Sequence, residues 1–349
     1  MAVAGCGSAI APIAGMTPPA QRFAFVANAF DNTMSVYGID ETSGRLQFHG
    51  NILSTGVRPI AVAADPSGRF AFVANLVSNS ISAFAIDPSS GSLRGIGQPA
   101  AAGRSPRAVT VHPSGKFVYV ANSDSGDVSA FKVDTASGAL TVVGDPVASG
   151  DNPASISIDP AGKFAYVANF TSGDLSIFSI DQGTGALTAA GEPLPVGAGP
   201  FAVKVDPLGR FVFVANYSAK TVNAFRIDAD SGKLTEVGLP VQTGGPIAIA
   251  VDPAGHFAYV ADFDSGDAAT LAIDPATGAL TQVGRPVAAG LNPTSIALDD
   301  SGRFAYVTNF TSDDVSEYFI DDNTGSLVST GTSIPAGLNP TSIATSRKK

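Results

Sequence analysis

The chain has 349 residues, 44% hydrophobic and 14% charged, with 38 glycines, 24 prolines and no tryptophan. That content supports a large core but lacks the Glu, Lys, Arg and Leu that fill helical proteins, which excludes both an all-helical fold and a disordered chain. A formal charge of −10, with the acids spread along the chain, excludes a nucleic-acid partner, and the single cysteine, Cys6, excludes an internal disulfide and any Cys-built metal centre. No stretch holds 18 consecutive apolar residues, so no membrane-spanning helix is expected.

Residues 1–21 stand apart from the rest of the chain. Val3-Ala4-Gly5-Cys6-Gly7-Ser8 resembles a bacterial lipobox, whose cysteine is lipidated after cleavage, and the Ala/Pro/Gly/Ser-rich stretch to Gln21 reads as a flexible tether. Such a signal needs a basic segment and an apolar region upstream, yet only five residues precede Cys6. Two readings stay open. Either translation starts upstream of Met1, Cys6 is a lipid anchor and the protein is extracytoplasmic (periplasmic, cell-surface or secreted), or the match is fortuitous and the protein is cytoplasmic. The lack of any other cysteine favours export.

From Arg22 onward one unit recurs. The string RFAFVAN at 22 returns as RFAFVAN at 69, KFVYVAN at 116, KFAYVAN at 163, RFVFVAN at 210, HFAYVAD at 256 and RFAYVTN at 303, at intervals of 47, 47, 47, 47, 46 and 47 residues. Residues 22–349 are therefore one repeat array rather than several domains. In the third unit, 117–122 reads as a strand, Ser123-Asp124-Ser125-Gly126 as a turn and the alternating run 128–134 as a second strand. Thr135-Ala136-Ser137-Gly138 turns the chain into a strand at 140–143, and a last strand, 155–158, follows Asn152-Pro153 and ends at the tight turn Asp159-Pro160-Ala161-Gly162. Four strands in each of seven units predict a seven-bladed β-propeller. The chain ends on a lone copy of the Pro-led strand, Asn339-Pro340-Thr341-Ser342-Ile343-Ala344, which should complete the first blade. The Pro-led strands, richest in small residues, should line the axis, and the strand near 46–52 and its copies should be outermost.

The strings KFVYVAN, KFAYVAN and RFAYVTN, each preceded by an Asp-Pro-Ser-Gly-type turn, resemble the YVTN-repeat propellers. These are close to the seven-bladed lactonase-like family that includes 6-phosphogluconolactonase and cycloisomerase-2-type proteins. The resemblance extends from Arg22 to the chain end and implies the fold more strongly than any activity, since propellers host many functions.

Residues present in every unit serve every blade. Asp40, Asp87, Asp134, Asp181, Asp228, Asp274 and Asp321 close the third strand and should accept turn N–H groups. Asn28, Asn75, Asn122, Asn169, Asn216 and Asn309, which end the second strand, are read as structural too. Function is sought where one unit departs from its siblings. Arg58 and Arg107 flank prolines in neighbouring units, and Lys204 stands where the others carry Ala, Ser or Thr. Over a narrow channel such cations suit a carboxylate or phosphate. With Asn152, Phe201, Asn292 and Asn339, which also flank the prolines, they form the expected ligand-binding mouth. The residue after the repeated Asn or Asp is Phe170, Tyr217, Phe263 and Phe310 in four consecutive units, an arc that either stacks on a sugar or partner or anchors its own loops.

The lactonase-like resemblance implies a Pro-Arg-His signature on an inner strand and an Asn-Glu-Leu signature after a second strand. Here the first becomes Pro106-Arg107-Ala108 and the second Asn122-Ser123-Asp124, so Arg107 carries over while the His and the Glu do not. Opening a lactone needs a base or a metal to activate water. His49, His112 and His256 read as positional variants away from the mouth, no metal site is expected, and Asp262-Phe263-Asp264-Ser265-Gly266-Asp267 lacks the distal Glu of a calcium loop. The sequence thus predicts a cofactor-free, monomeric, exported binding scaffold for a small anionic or sugar-like ligand or a protein, with a sugar-lactone hydrolase as the alternative.

Overall fold

β-Branched and aromatic residues on both faces of strings such as Phe117–Asn122 leave no side for water, so these strands must lie between other layers. The computed structural model, which describes residues 22–54 and 56–346, places them there. Every residue of the second strands Phe70–Asn75, Phe117–Asn122, Phe164–Asn169, Phe211–Asn216 and Phe304–Asn309 is buried.

Seven antiparallel sheets, each a meander, form the blades. In the fourth blade Pro153–Ile158 is innermost, followed outward by Phe164–Asn169, Asp174–Ile180 and Leu187–Ala189. The first blade takes its innermost strand, Pro340–Thr345, from the far end of the chain, where it pairs with Arg22–Asn28. Each innermost strand touches those of both neighbouring blades, so the seven close into a ring around an axial channel. The outermost strand is a continuous nine residues in blades one, five, six and seven. In blades two to four it is broken into two short pieces. Each break falls at a Gly-x-Pro step, where Pro removes a ladder donor. Blades five and six carry the same step within a continuous strand, so it permits the break without imposing it.

Blades are glued by one recurring contact. The turn after each third strand ends in a left-handed glycine, such as Gly185 at φ 77°, and a Cβ there would collide with the Phe117 ring of the preceding blade. The same glycine's carbonyl accepts the Tyr119 hydroxyl at 2.9 Å, and Tyr166, Tyr259 and Tyr306 repeat the bond on Gly232, Gly325 and Gly44. Phe117 and Tyr119 thus fill the space between blades, as their pairing on one strand face predicts. The third-strand aspartates also behave as read. Asp181 Oδ1 accepts the Thr184 hydroxyl and the N–H of Thr184 and of Gly183, and such bonds hold these carboxyls below the usual range, Asp87, with the Ser89 hydroxyl foremost, at about 2.

At the closure, buried Arg22 bonds Asp299 and Asp300, and the Phe23 N–H donates to Ser346 Oγ at 2.9 Å. Cys6 lies outside the described residues. Among the described residues no helix is long and apolar enough to cross a membrane.

Candidate functional site

Each inner strand is entered through a residue followed by proline, and all seven of these residues adopt left-handed backbone: Arg58, Ser105, Asn152, Gly199, Gly245, Asn292 and Asn339, at φ between 53° and 99°. Their carbonyls accept N–H bonds from the segment after the second strand, as in Leu76 N–H to Arg58 O at 2.8 Å and Phe170 N–H to Asn152 O at 2.9 Å. This corner sets the channel mouth. Asn and Gly adopt such a conformation readily; Arg58 does so at a cost.

The channel below encloses about 1260 Å³ and is lined mainly by Ala, Ser, Thr and Val of the inner strands. Its walls also carry Arg58, Arg107, Phe201, Lys204 and all four predicted arc residues, Phe170, Tyr217, Phe263 and Phe310. Arg107 leaves blade three and crosses to blade five, where its guanidinium sits over the Phe201 ring at 4.8 Å. Arg58 lies over the Phe30 ring at 5.5 Å. Among the described residues neither guanidinium has a hydrogen bond or ion pair with a carboxylate. Burial and then the field of Arg58 push the Arg107 pKa down, and Asp124 offsets them only in part. Arg58 and Arg107 thus lie close enough to feel each other's charge, in a place where Arg107 is largely shielded from water.

The aromatic arc is continuous, but through a residue the arc pattern omits. Phe170 meets Phe201 edge-on at 5.9 Å, Phe201 meets Tyr217 at 6.4 Å, and Tyr217 meets Phe263 at 6.4 Å. Phe310 instead contacts Phe30 at 6.3 Å, a ring that is 59% exposed. Column comparison misses Phe30, because it sits two residues past Asn28 and so falls outside the column that holds the other rings. Around the mouth, blades two and three supply cations, and blades four to seven and one supply rings.

Three expected mouth residues take other places. Asn152, Asn292 and Asn339 do not line the channel. Asn292 Nδ2 donates to Phe263 O at 3.3 Å and Asn339 Nδ2 to Phe310 O at 2.9 Å, so they brace the ring-bearing hairpins. Lys204 does line the channel, but four residues, or about 13 Å, beyond Pro200 along its strand and so below the rim.

The signature positions and the histidines take the following places. Ala108 lines the channel beside Arg107 where the signature has His. Ser123, in place of the Glu, donates its hydroxyl to Ser105 O at 3.0 Å, and exposed Asp124, in place of the Leu, accepts the Ser105 hydroxyl at 2.6 Å. His49 bonds Ser90 O, His112 bonds Gly162 O and Ser114, and His256 immediately precedes the second strand Phe257–Asp262; none lines the channel. The lining carboxylates, Asp299 and Asp300, lie at the opposite end, bonded to Arg22. Among the described residues no cluster of three His, Cys, Asp or Glu could hold a metal.

Solved structures share this architecture at low identity. A candidate 6-phosphogluconolactonase from Bacteroides uniformis superposes with a TM-score of 0.84 at 18% identity, covering 93% of this chain and 99% of its own. A second, from Bacteroides fragilis, gives 0.82 at 21%, covering 93% and 98%. The periplasmic gluconolactonase PpgL of Pseudomonas aeruginosa gives 0.81 at 21%, covering 94% and 100%. At such identities the likeness concerns the fold. No curated protein matches the chain in sequence. The family model described as lactonase, 7-bladed beta-propeller matches residues 16–102, 58–152, 145–251 and 242–344, and with nearly the whole length matched the chain belongs to that lactonase-type seven-bladed propeller family.

Proposed function

We propose that the channel mouth binds a small organic anion, its carboxylate or phosphate on Arg107 and Arg58 and its sugar-like or flat body against the Phe170–Phe201–Tyr217–Phe263 rings. The observation that carries this reading is the pair of guanidiniums, both seated on aromatic rings and without a carboxylate of their own among the described residues. Arg suits such a ligand because its planar fork matches two anionic oxygens at once. A protein partner presenting a carboxylate would use the same groups. The scaffold works outside the cytoplasm in this reading, in line with the periplasmic relative.

Family membership favours a second reading, a hydrolase opening a sugar lactone with Arg107 holding the substrate. It requires a base other than His or Glu at the signature positions. One experiment separates the two. Purified protein is assayed for hydrolysis of gluconolactone and 6-phosphogluconolactone, and for calorimetric binding of the corresponding acids, with Arg107→Ala alongside. Binding without turnover, weakened about 10- to 100-fold by the substitution, is the expected result. Turnover abolished by Arg107→Ala would establish the hydrolase instead, and neither binding nor turnover would refute both.

A further inference from the structure

Six blades end the second strand with Asn, and the amide does the same work in each. Nδ2 donates to the residues five and seven positions on, as Asn122 does to Asp127 at 2.6 Å and Ser129 at 2.9 Å, and Asn309 to Asp314 at 2.7 Å and Ser316 at 2.9 Å. In blade six the residue is Asp262, the residue five on is Asp267, and the residue seven on is Ala269. An ionised carboxylate has no proton to donate, so the bond that the siblings make becomes a meeting of two acceptors.

The surroundings leave Asp262 little compensation. Its relative exposure is 0%, and neither carboxyl oxygen has a hydrogen bond of good geometry. In blades three, five and seven the Asn amide oxygen also lacks a partner, but a neutral oxygen left so costs less than a charged one. The groups facing Asp262 are Asp267 on the third strand, Ser265 in the hairpin, Thr243 and Gly244 on the connection from blade five, and uncharged Pro246 on the inner strand. Ser265 Oγ already donates to Asp267 Oδ1 at 2.9 Å, and the Thr243 hydroxyl, also buried, has no partner of its own. The nearest cation on this rim, Lys220, pairs with Asp264 at 3.1 Å.

We propose that a proton shared between Asp262 and Asp267 replaces the amide bond of the sibling blades, and that its loss loosens the Phe263–Gly266 hairpin at the channel mouth. Protonated Asp262 donates to Asp267 as Asn309 donates to Asp314. Deprotonated, it sets a buried charge beside a like one, and the hairpin is the element that can yield. Burial pushes the Asp262 pKa up to about 7 against the pull of the Thr243 hydroxyl and the Gly244 N–H, with Asp267 adding to the rise, which puts the change near neutral pH. That hairpin carries Phe263, whose ring lies against Tyr217, and Asp264, which accepts the Tyr217 hydroxyl at 2.9 Å. Where the mouth binds an anion, affinity should therefore fall as pH rises through 7; this part alone rests on the anion-binding reading.

The test compares the native protein with Asp262→Asn, which restores the sibling residue. A folded-state pKa above the unfolded value means stability is greatest below the unfolded value and falls as pH rises toward the folded one. The folding constant of Asp262→Asn relative to native protein should therefore rise by up to about tenfold per pH unit between pH 4 and 7 and level off above. Hydrogen exchange at 263–266, corrected for intrinsic rates, should speed up above pH 7 in the native protein alone. In Asp267→Asn an amide can donate to ionised Asp262, and the transition should move to lower pH. Parallel pH dependence of native protein and Asp262→Asn would overturn the proposal. So would rescue of the native protein by calcium at pH 8.5, which would mean that a cation rather than a proton bridges the pair. Both outcomes are read from unfolding and stand whether or not a mouth ligand exists.

Discussion

The two ends of the inner strands solve the same problem, turning the chain around a ring, by different means. At the end away from the mouth the corner is held by side chains. Asp206, fully buried, accepts the N–H of Phe211 at 2.9 Å and the Arg210 Nε at 3.1 Å, and Asp65, Asp159, Asp252 and Asp299 likewise accept the N–H of Phe70, Phe164, Phe257 and Phe304. His112 and Ser346 are the variants: His112 links to the next blade through Gly162 O, and Ser346 Oγ accepts the Phe23 N–H. At the mouth the corner is held by backbone. Seven left-handed residues offer their carbonyls to seven equivalent N–H groups, and their side chains range from hydrogen to guanidinium. A corner held by a side chain admits only residues that can bond there, whereas one that needs only its φ angle leaves the side chain for other uses. The same period of about 47 residues therefore repeats its side chains more closely at one end and varies them at the other, where the proposed binding surface lies.

Three substitutions test that contrast, the largest effect first. Asp206→Ala leaves buried N–H groups without an acceptor and should cost about 3 kcal/mol in urea unfolding. An effect below about 1 kcal/mol would show that these corners too are held by backbone. Arg58→Asn places at the mouth a residue that accepts left-handed backbone, and should gain about 0.5–1 kcal/mol while weakening anion binding. If Arg58→Asn lost stability instead, the arginine would be part of the scaffold. Ser105→Gly should change stability by less than about 0.5 kcal/mol, read from the same unfolding curves.

Most of the fold is legible in the sequence, because the strings near RFAFVAN fix the period and the Pro-led end fixes the closure. Arg107 and the arc are legible too, as departures from a column. What is not legible depends on depth and offset. Lys204 shares the channel with Arg58 and Arg107, but a strand rises about 3.3 Å per residue, so four positions carry it well below the rim. Phe30 escapes column comparison because its ring comes one residue late. Asn152, Asn292 and Asn339 flank the prolines like Arg58 and Phe201, yet sit away from the channel lining, and sequence spacing does not distinguish these orientations. Asp262 shares the column of the Asn set, and only the strand pairing, which puts Asp267 and Ala269 in the places of its hydrogen-bond partners, sets it apart.

The closing strand also sets a schedule for synthesis. Phe23 and Ser346, bonded to each other, lie 323 positions apart in the chain, so of the seven sheets the one begun first is completed last. Until then Arg22–Asn28 is an open edge with its ladder groups unpaired, able to recruit a strand from another nascent chain. Closure of the ring is thereby tied to synthesis of one late strand: a polypeptide stalled or cut short before Pro340–Thr345 would carry six complete blades and one adhesive edge.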